Sequence, residues 1–207
     1  MLQNAGYATK VESGSWLHSR RSLTFNPMEV GPMDKRDLIT QEFLRETLDY
    51  NPDTGIFKWK ARSDCDVQWN SRYAGTPAGW NDPNGYQIIT INYENYRAHH
   101  LAWLWVYGAW PERQIDHINR ARKDNRIVNL RNATRSENAA NSRIRSDNTS
   151  GCRGISWDSS RDKWCVYVNR DGVRRHLGRF TSLEEAKDVH RKAFNALFGE
   201  FSMLEDG

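Results

Sequence analysis

The stretch DHINRARKDNRIVNLRNATRSEN, residues 116–138, decides how the rest of the chain is read. It sets an acid beside a histidine (Asp116, His117), with Asn129 twelve residues and Asn138 twenty-one residues beyond that histidine. Arg120, Arg122, Lys123, Arg126, Arg131 and Arg135 are interleaved with them. Carboxylate and amide oxygens are hard donors suited to Mg²⁺, and an imidazole titrating near neutrality is the usual general base. The arginines would hold a polyanion over both. Together these groups suit the hydrolysis of a phosphodiester. Neighbours on a strand point to opposite faces, so Asp116 and His117 can approach one phosphate at a strand's end or in a turn. Thr134-Arg-Ser-Glu137 has the form of a capping box, which predicts a helix from Thr134 with Asn138 in its second turn.

The order and spacing of these residues resemble the HNH endonucleases, specifically the phage and intron-encoded homing type built on a ββα-metal finger. The likeness extends upstream through HHLAWLWVYGAWP (99–111), similar to that group's His-x-x-x-Trp helix followed by Gly and Pro. The resemblance implies that Asp116 and Asn138 are metal ligands, that His117 is the base activating water, and that Asn129 holds the imidazole in its reactive orientation. It also implies Mg²⁺, or another divalent ion such as Mn²⁺, and products ending in 5′-phosphate and 3′-hydroxyl. His99 matches the group's upstream histidine, and a structural role is expected for it and for His100.

Composition supports an anionic partner. The formal net charge is +4 over 207 residues, and the stretch from Glu112 to Arg153 alone holds ten Lys or Arg against five Asp or Glu. Three cysteines (Cys65, Cys152, Cys165) lack any C-x₂-C pairing, which argues against a disulfide framework or a structural zinc. Reduced thiols, no apolar run of membrane-spanning length and no apolar signal core predict a soluble protein of the cytoplasm, in a bacterium or phage-infected cell.

Along the chain, residues 1–32 show no sustained period and read as a poorly ordered tail, with Met28 or Met33 as possible starts. Residues 33–142 read as the endonuclease domain, its finger at 112–142. Within it, a short helix is expected over 38–50, capped by Thr40, then a strand over 55–60 after the Asn51–Gly55 turn. A polar loop to about Tyr73 follows, and then a strand over 86–92 that turns back at Glu94-Asn95. An apolar helix should run from His99 to Tyr107 and stop at Gly108. Residues 143–150 are polar and basic, a linker whose Arg143 and Arg145 could touch DNA.

From residue 151 the pattern becomes three short strands and one helix. Asp171-Gly172 is a strong hairpin signal. Ser182-Leu-Glu-Glu185 begins a helix bearing an apolar stripe of Ala186, Val189, Ala193 and Leu197. Trp164, Val166 and Val168 share one strand parity and should face it, with Leu177. The other parity carries Lys163, Cys165, Tyr167 and Asn169, with Arg174 and His176 on the next strand, a polar and basic face of the kind that enters a major groove. RGISW, KW, HLGRF, SLEEA and LFGEF resemble an AP2-type DNA-binding domain across residues 151–207. The contacts this implies are Arg153, Trp157, Lys163, Tyr167, Asn169, Arg174 and His176. Ser156, Tyr167 and Asn169 replace charged positions of the familiar plant versions, so the recognised sequence should differ.

The expected fold class is therefore α+β: a small mixed N-terminal region with the ββα-metal finger, then a three-stranded antiparallel sheet packed on one helix. The expected function is site-specific, metal-dependent cleavage of double-stranded DNA. The C-terminal module would choose the target, while Arg120, Arg122 and Arg126 grip phosphates. One base and one ligand set make one centre per chain, and a monomer is the favoured state. Two rivals lack catalysis: a sequence-specific DNA-binding regulator with a relic finger, and an RNA-binding protein.

Overall fold

In the computed structural model, residues 34–201 are described, so the tail expected over 1–32 lies outside them. The segment read as one helix divides in two. Thr40 accepts from the Phe43 amide at 3.1 Å and caps helix α1 (Gln41–Thr47), and the chain then extends into strand β1 (Leu48–Asn51). β1 pairs antiparallel with β2 (Ile56–Trp59) through a turn in which Asn51 Oδ1 accepts from the amides of Asp53 and Thr54. The expected polar loop contains helix α2 (Val67–Tyr73) instead. That helix buries no residue completely, so it lacks the apolar period by which helices are recognised. It is held by an Asp66 cap on the Trp69 amide (2.6 Å) and by Trp69 packing against Trp59 and Tyr73.

Strands β3 (Trp80–Asn81), β4 (Gln87–Ile91) and β5 (Glu94–Arg97) form an antiparallel sheet in that order. The β4–β5 turn falls at Asn92-Tyr93, two residues before the expected place, and both residues have positive φ (51° and 66°), as a two-residue hairpin of matching twist requires. Helix α3 (Ala98–Tyr107) ends at Gly108 in the left-handed region (φ 75°). Its Ala98, Leu101, Ala102 and Leu104 are buried against Leu44, Leu48, Phe57, Ile89 and Ile91. Burying each such large aliphatic side chain is worth about 1.5–3 kcal/mol, which makes α3 a fixed floor for what lies above it.

Strands β6 (Gln114–His117) and β7 (Leu130–Ala133) pair antiparallel, and helix α4 (Arg135–Ala140) follows with both halves of the Thr134/Glu137 capping box formed. Beyond it lie β8 (Ile155–Asp158), β9 (Lys163–Arg170) and β10 (Val173–Phe180), with β9 central, and helix α5 (Leu183–Phe198) packed on one face. The architecture is α+β with antiparallel sheets throughout the described residues. No helix among them is long and apolar enough to cross a membrane.

The two halves share a core. Ala133 and Ala140 cluster with Val168, Phe198 and Phe201. Ser136 Oγ accepts from the Asp171 amide at 3.1 Å. The segment expected to be a linker is tied at its end, with the buried Ser150 hydroxyl bonded to the carbonyls of Cys152 (2.8 Å) and Ile155 (2.9 Å).

Candidate active site

Asp116 and His117 occupy the last two positions of β6, where the ladder ends with His117 opposite Leu130. Both are buried, at 5% exposure each, yet both line a cleft of about 600 Å³. Arg120, Arg122, Lys123, Arg143, Asn138 and Asn141 complete much of its wall. Burial, the largest influence, lowers the His117 pKa below the usual histidine value, with an Asn125 hydrogen bond and the Asp116 charge opposing it. The imidazole is therefore neutral at neutral pH and holds a lone pair for a proton. The His99 ring packs edge-on against it at 4.9 Å between centroids, and the Tyr86 ring lies at 6.1 Å.

Asn129 sits where β7 begins, with its side chain turned into the 118–126 loop. Its Oδ1 accepts from the Asn119 amide (3.0 Å) and its Nδ2 donates to the Asp124 carbonyl (2.8 Å). The side chain on the imidazole is Asn125, whose Oδ1 lies 3.3 Å from His117 Nε2. Asn129 thus braces the loop that carries Asn125, rather than touching the histidine. No spacing signal marked Asn125, since its contact depends on how the loop folds back.

Asn138 donates through Nδ2 to Gln114 Oε1 at 2.8 Å, which leaves its carbonyl oxygen as the atom that could meet a metal. One turn further on, Asn141 donates to both Asp116 oxygens, each at 2.9 Å, and to the His117 carbonyl. Sequence reading missed Asn141. Arg131 also reaches Asp116, through Nε at 2.9 Å and Nη2 at 2.8 Å, while its Nη1 donates to the Glu200 carbonyl and its guanidinium lies 3.8 Å from the Phe201 ring centre.

The donor chemistry fits a hard divalent ion. Asp116 and Asn138 offer two oxygens on one cleft, and Mg²⁺ commonly takes one or two protein oxygens and completes its shell with water and phosphate. Among the described residues no group of three His, Cys, Asp or Glu side chains converges.

The basic residues divide. Arg122 stacks 4.9 Å over Tyr86 and donates to the Asn84 carbonyl, and Arg143 is exposed beside it at the cleft. Arg120 donates to Asn141 Oδ1 at 3.3 Å. Arg126 is paired with Asp124, and that hydrogen bond holds the carboxyl down at about 2, so its charge is largely neutralised. Arg145 is paired with Asp147. Arg153 turns inward: its guanidinium donates to the Ala139, Ser142 and Arg143 carbonyls and closes the end of α4.

On the C-terminal sheet, Lys163, Tyr167, Asn169, Arg174 and His176 share the face away from α5, with Arg174 stacked 3.8 Å over Tyr167 and His176 beside it. Trp157 does not join them. Its register partner is Trp164, on the α5 side, and the two rings meet edge-on at 5.1 Å. A bulge between His176 and Gly178 reverses the parity of β10, which brings Arg179 to the open face opposite Cys165. An alternation rule applied straight through the strand misses Arg179.

With this geometry in place, comparison with known proteins shows that residues 96–140, from β5 through α4, match the HNH endonuclease family model. The chain is also 31% identical over 111 residues to protein 3.8 of Escherichia phage T7, an alignment covering 53% of this chain and 91% of that protein. The chain belongs to the family that includes protein 3.8. No solved structure matches it.

Proposed function

We propose that the protein is a metal-dependent endonuclease that cleaves phosphodiester bonds in double-stranded DNA at sites chosen by its C-terminal sheet. The observation that carries this is the buried His117 beside Asp116 at the floor of a cleft rimmed by Arg122, Lys123 and Arg143. The rim cations bind the backbone on either side of the scissile phosphate. His117 takes the proton of the attacking water. Asp116 and Asn138 would hold Mg²⁺ or Mn²⁺, which supplies Lewis-acid stabilisation of charge on the phosphate and leaving oxygen. Asn141 and Arg131 keep the Asp116 carboxylate aimed into the cleft. The AP2-like reading of residues 151–207 gives the open face a target-choosing role, with Tyr167, Asn169, Arg174, His176 and Lys163 as its contacts and Arg179 added to them. A homing-type enzyme of a phage or mobile element, acting in the cytoplasm as a monomer, fits this division.

The alternative, a DNA-binding regulator without catalysis, draws on one observation: both Asp116 oxygens already have partners in Arg131 and Asn141. A supercoiled plasmid carrying DNA from the gene's own genomic neighbourhood separates the two, incubated with Mg²⁺ or with EDTA. Nicked or linear product in Mg²⁺ alone supports the enzyme. Retarded but uncut plasmid in both, across a wide panel of targets, supports the regulator.

A further inference from the structure

Asn125 is 1% exposed, although it lies in a basic loop otherwise open to solvent. Its backbone is pinned by the Tyr50 hydroxyl, which donates to the Asn125 carbonyl at 2.6 Å. The β1–β2 turn presses on it at Gly55, where a Cβ would lie 2.6 Å from the Asn125 carbonyl carbon, and φ is +72°. Such a fixed amide needs defined partners at both ends.

Those partners have only one consistent direction. Gln87 Nε2 donates to the Ala78 carbonyl at 2.8 Å, an atom that can only accept. Gln87 Oε1 is therefore turned to Asn125 and accepts from its Nδ2 at 2.9 Å. The oxygen of Asn125 then faces His117 Nε2 at 3.3 Å. Flipping Gln87 would set its oxygen against the Ala78 carbonyl and its NH₂ against that of Asn125, and flipping Asn125 would set its oxygen against Gln87 Oε1. His117 Nε2 must carry a hydrogen, and the lone pair must sit on Nδ1.

We infer that Gln87 and Asn125 are positioning residues that fix the His117 tautomer, relaying the polarity of one backbone carbonyl so that Nδ1 is the atom that accepts the proton of water. The inference rests on the endonuclease reading for its catalytic meaning, while the tautomer itself does not. Gln87 touches neither the imidazole nor the cleft's rim of cations. Its hydrogen-bonded link to the imidazole runs through Asn125.

The test is ¹⁵N NMR of the histidine-labelled full-length protein in EDTA, at a pH where His117 is neutral, with a plasmid cleavage assay alongside. The native protein should show Nε2 protonated and Nδ1 bare at His117. Gln87→Leu, which removes the acceptor and frees Asn125 to flip, should populate the opposite tautomer. It should slow cleavage roughly 10- to 100-fold with DNA binding within twofold, within the range that general-base catalysis supplies. Asn125→Leu should do the same more completely, and Gln87→Leu suffices if that variant does not fold. A native Nδ1–H tautomer overturns the inference. So does an unchanged tautomer in a folded Gln87→Leu protein. If the native protein never cuts DNA while the tautomer behaves as stated, the endonuclease reading fails and the relay stands.

Discussion

The two polar surfaces of this molecule are built in opposite ways. Around His117 the polar groups are buried and mutually bonded, and Asp116, Asn125, Asn129 and Asn141 are each under 7% exposed. On the open face of the C-terminal sheet, Lys163, Asn169, Arg174, His176 and Arg179 are all exposed. A reacting group has to be held in one geometry before substrate arrives, because reorganisation adds to the barrier. A surface that reads a long groove gains from side chains that adjust to it. On the proposed function, burial separates the part of the protein that does chemistry from the part that recognises the target.

The sharpest way to break this contrast is His117→Ala. Cleavage should fall by about 10²- to 10⁴-fold, the range general-base groups supply, while DNA affinity measured by gel shift stays within twofold. Equal losses of both would mean the buried site also does the binding. Next in size is Phe201→Ala. Large aromatic truncations in a core cost roughly 3–5 kcal/mol, and because Phe201 lies in the cluster shared by both halves, the whole chain should lose stability in one transition. Chemical denaturation followed by a probe in each half checks this; two separated transitions would show independent modules.

Arg174→Ala should weaken discrimination between the preferred target and other DNA by about 1–3 kcal/mol, the worth of one well-placed base contact, and leave cutting of a bound site unchanged. Competition assays against unrelated duplex would reveal it, and an equal loss on every sequence would reassign Arg174 to the backbone. Acidification probes the buried half. His99, His100, His117 and His190 all have pKa values lowered chiefly by burial, His100 to about 4. Below the unfolded histidine value near 6.5 the unfolded chain binds more protons than the native one, so stability present above that pH is lost as pH falls towards 4. Thermal melts in EDTA at pH 7 and pH 5 should show the lower midpoint at pH 5. The smallest effect is expected for Trp157→Ala. Partly exposed and packed on Trp164, it should cost about 1 kcal/mol of stability, typical of a lost aromatic pair, with target choice unaltered.

Much of this was legible in the sequence because its signals are local. The capping box at Thr134, the Gly108 stop and the alternation along β9 each need only a few neighbouring residues, and each places its element correctly. The adjacency of Asp116 and His117 located the cleft. What was not legible depends on distance or on irregularity. Asn125 meets His117 through a loop closed by Asn129, and Asn141 reaches Asp116 from the end of α4, so no spacing rule finds either. The bulge near Leu177 moves Arg179 to the other face, against strict alternation. Arg153 reads as a surface cation, and only the end of α4 explains its inward turn.

The apolar cluster joining Ala133 and Ala140 to Val168, Phe198 and Phe201 has a consequence for how such a chain can change by recombination. A crossover in the polar segment after Ser142 looks harmless in sequence, because it falls between two recognisable patterns. In the folded protein it would strip an oily crescent from each parent and remove the Phe201 ring that covers Arg131. A new C-terminal module could be inherited only together with a matching surface on α4 and β7. If the open sheet face chooses the target, as proposed, descendants of this arrangement should acquire new targets by substitutions on that face far more readily than by exchange of whole modules.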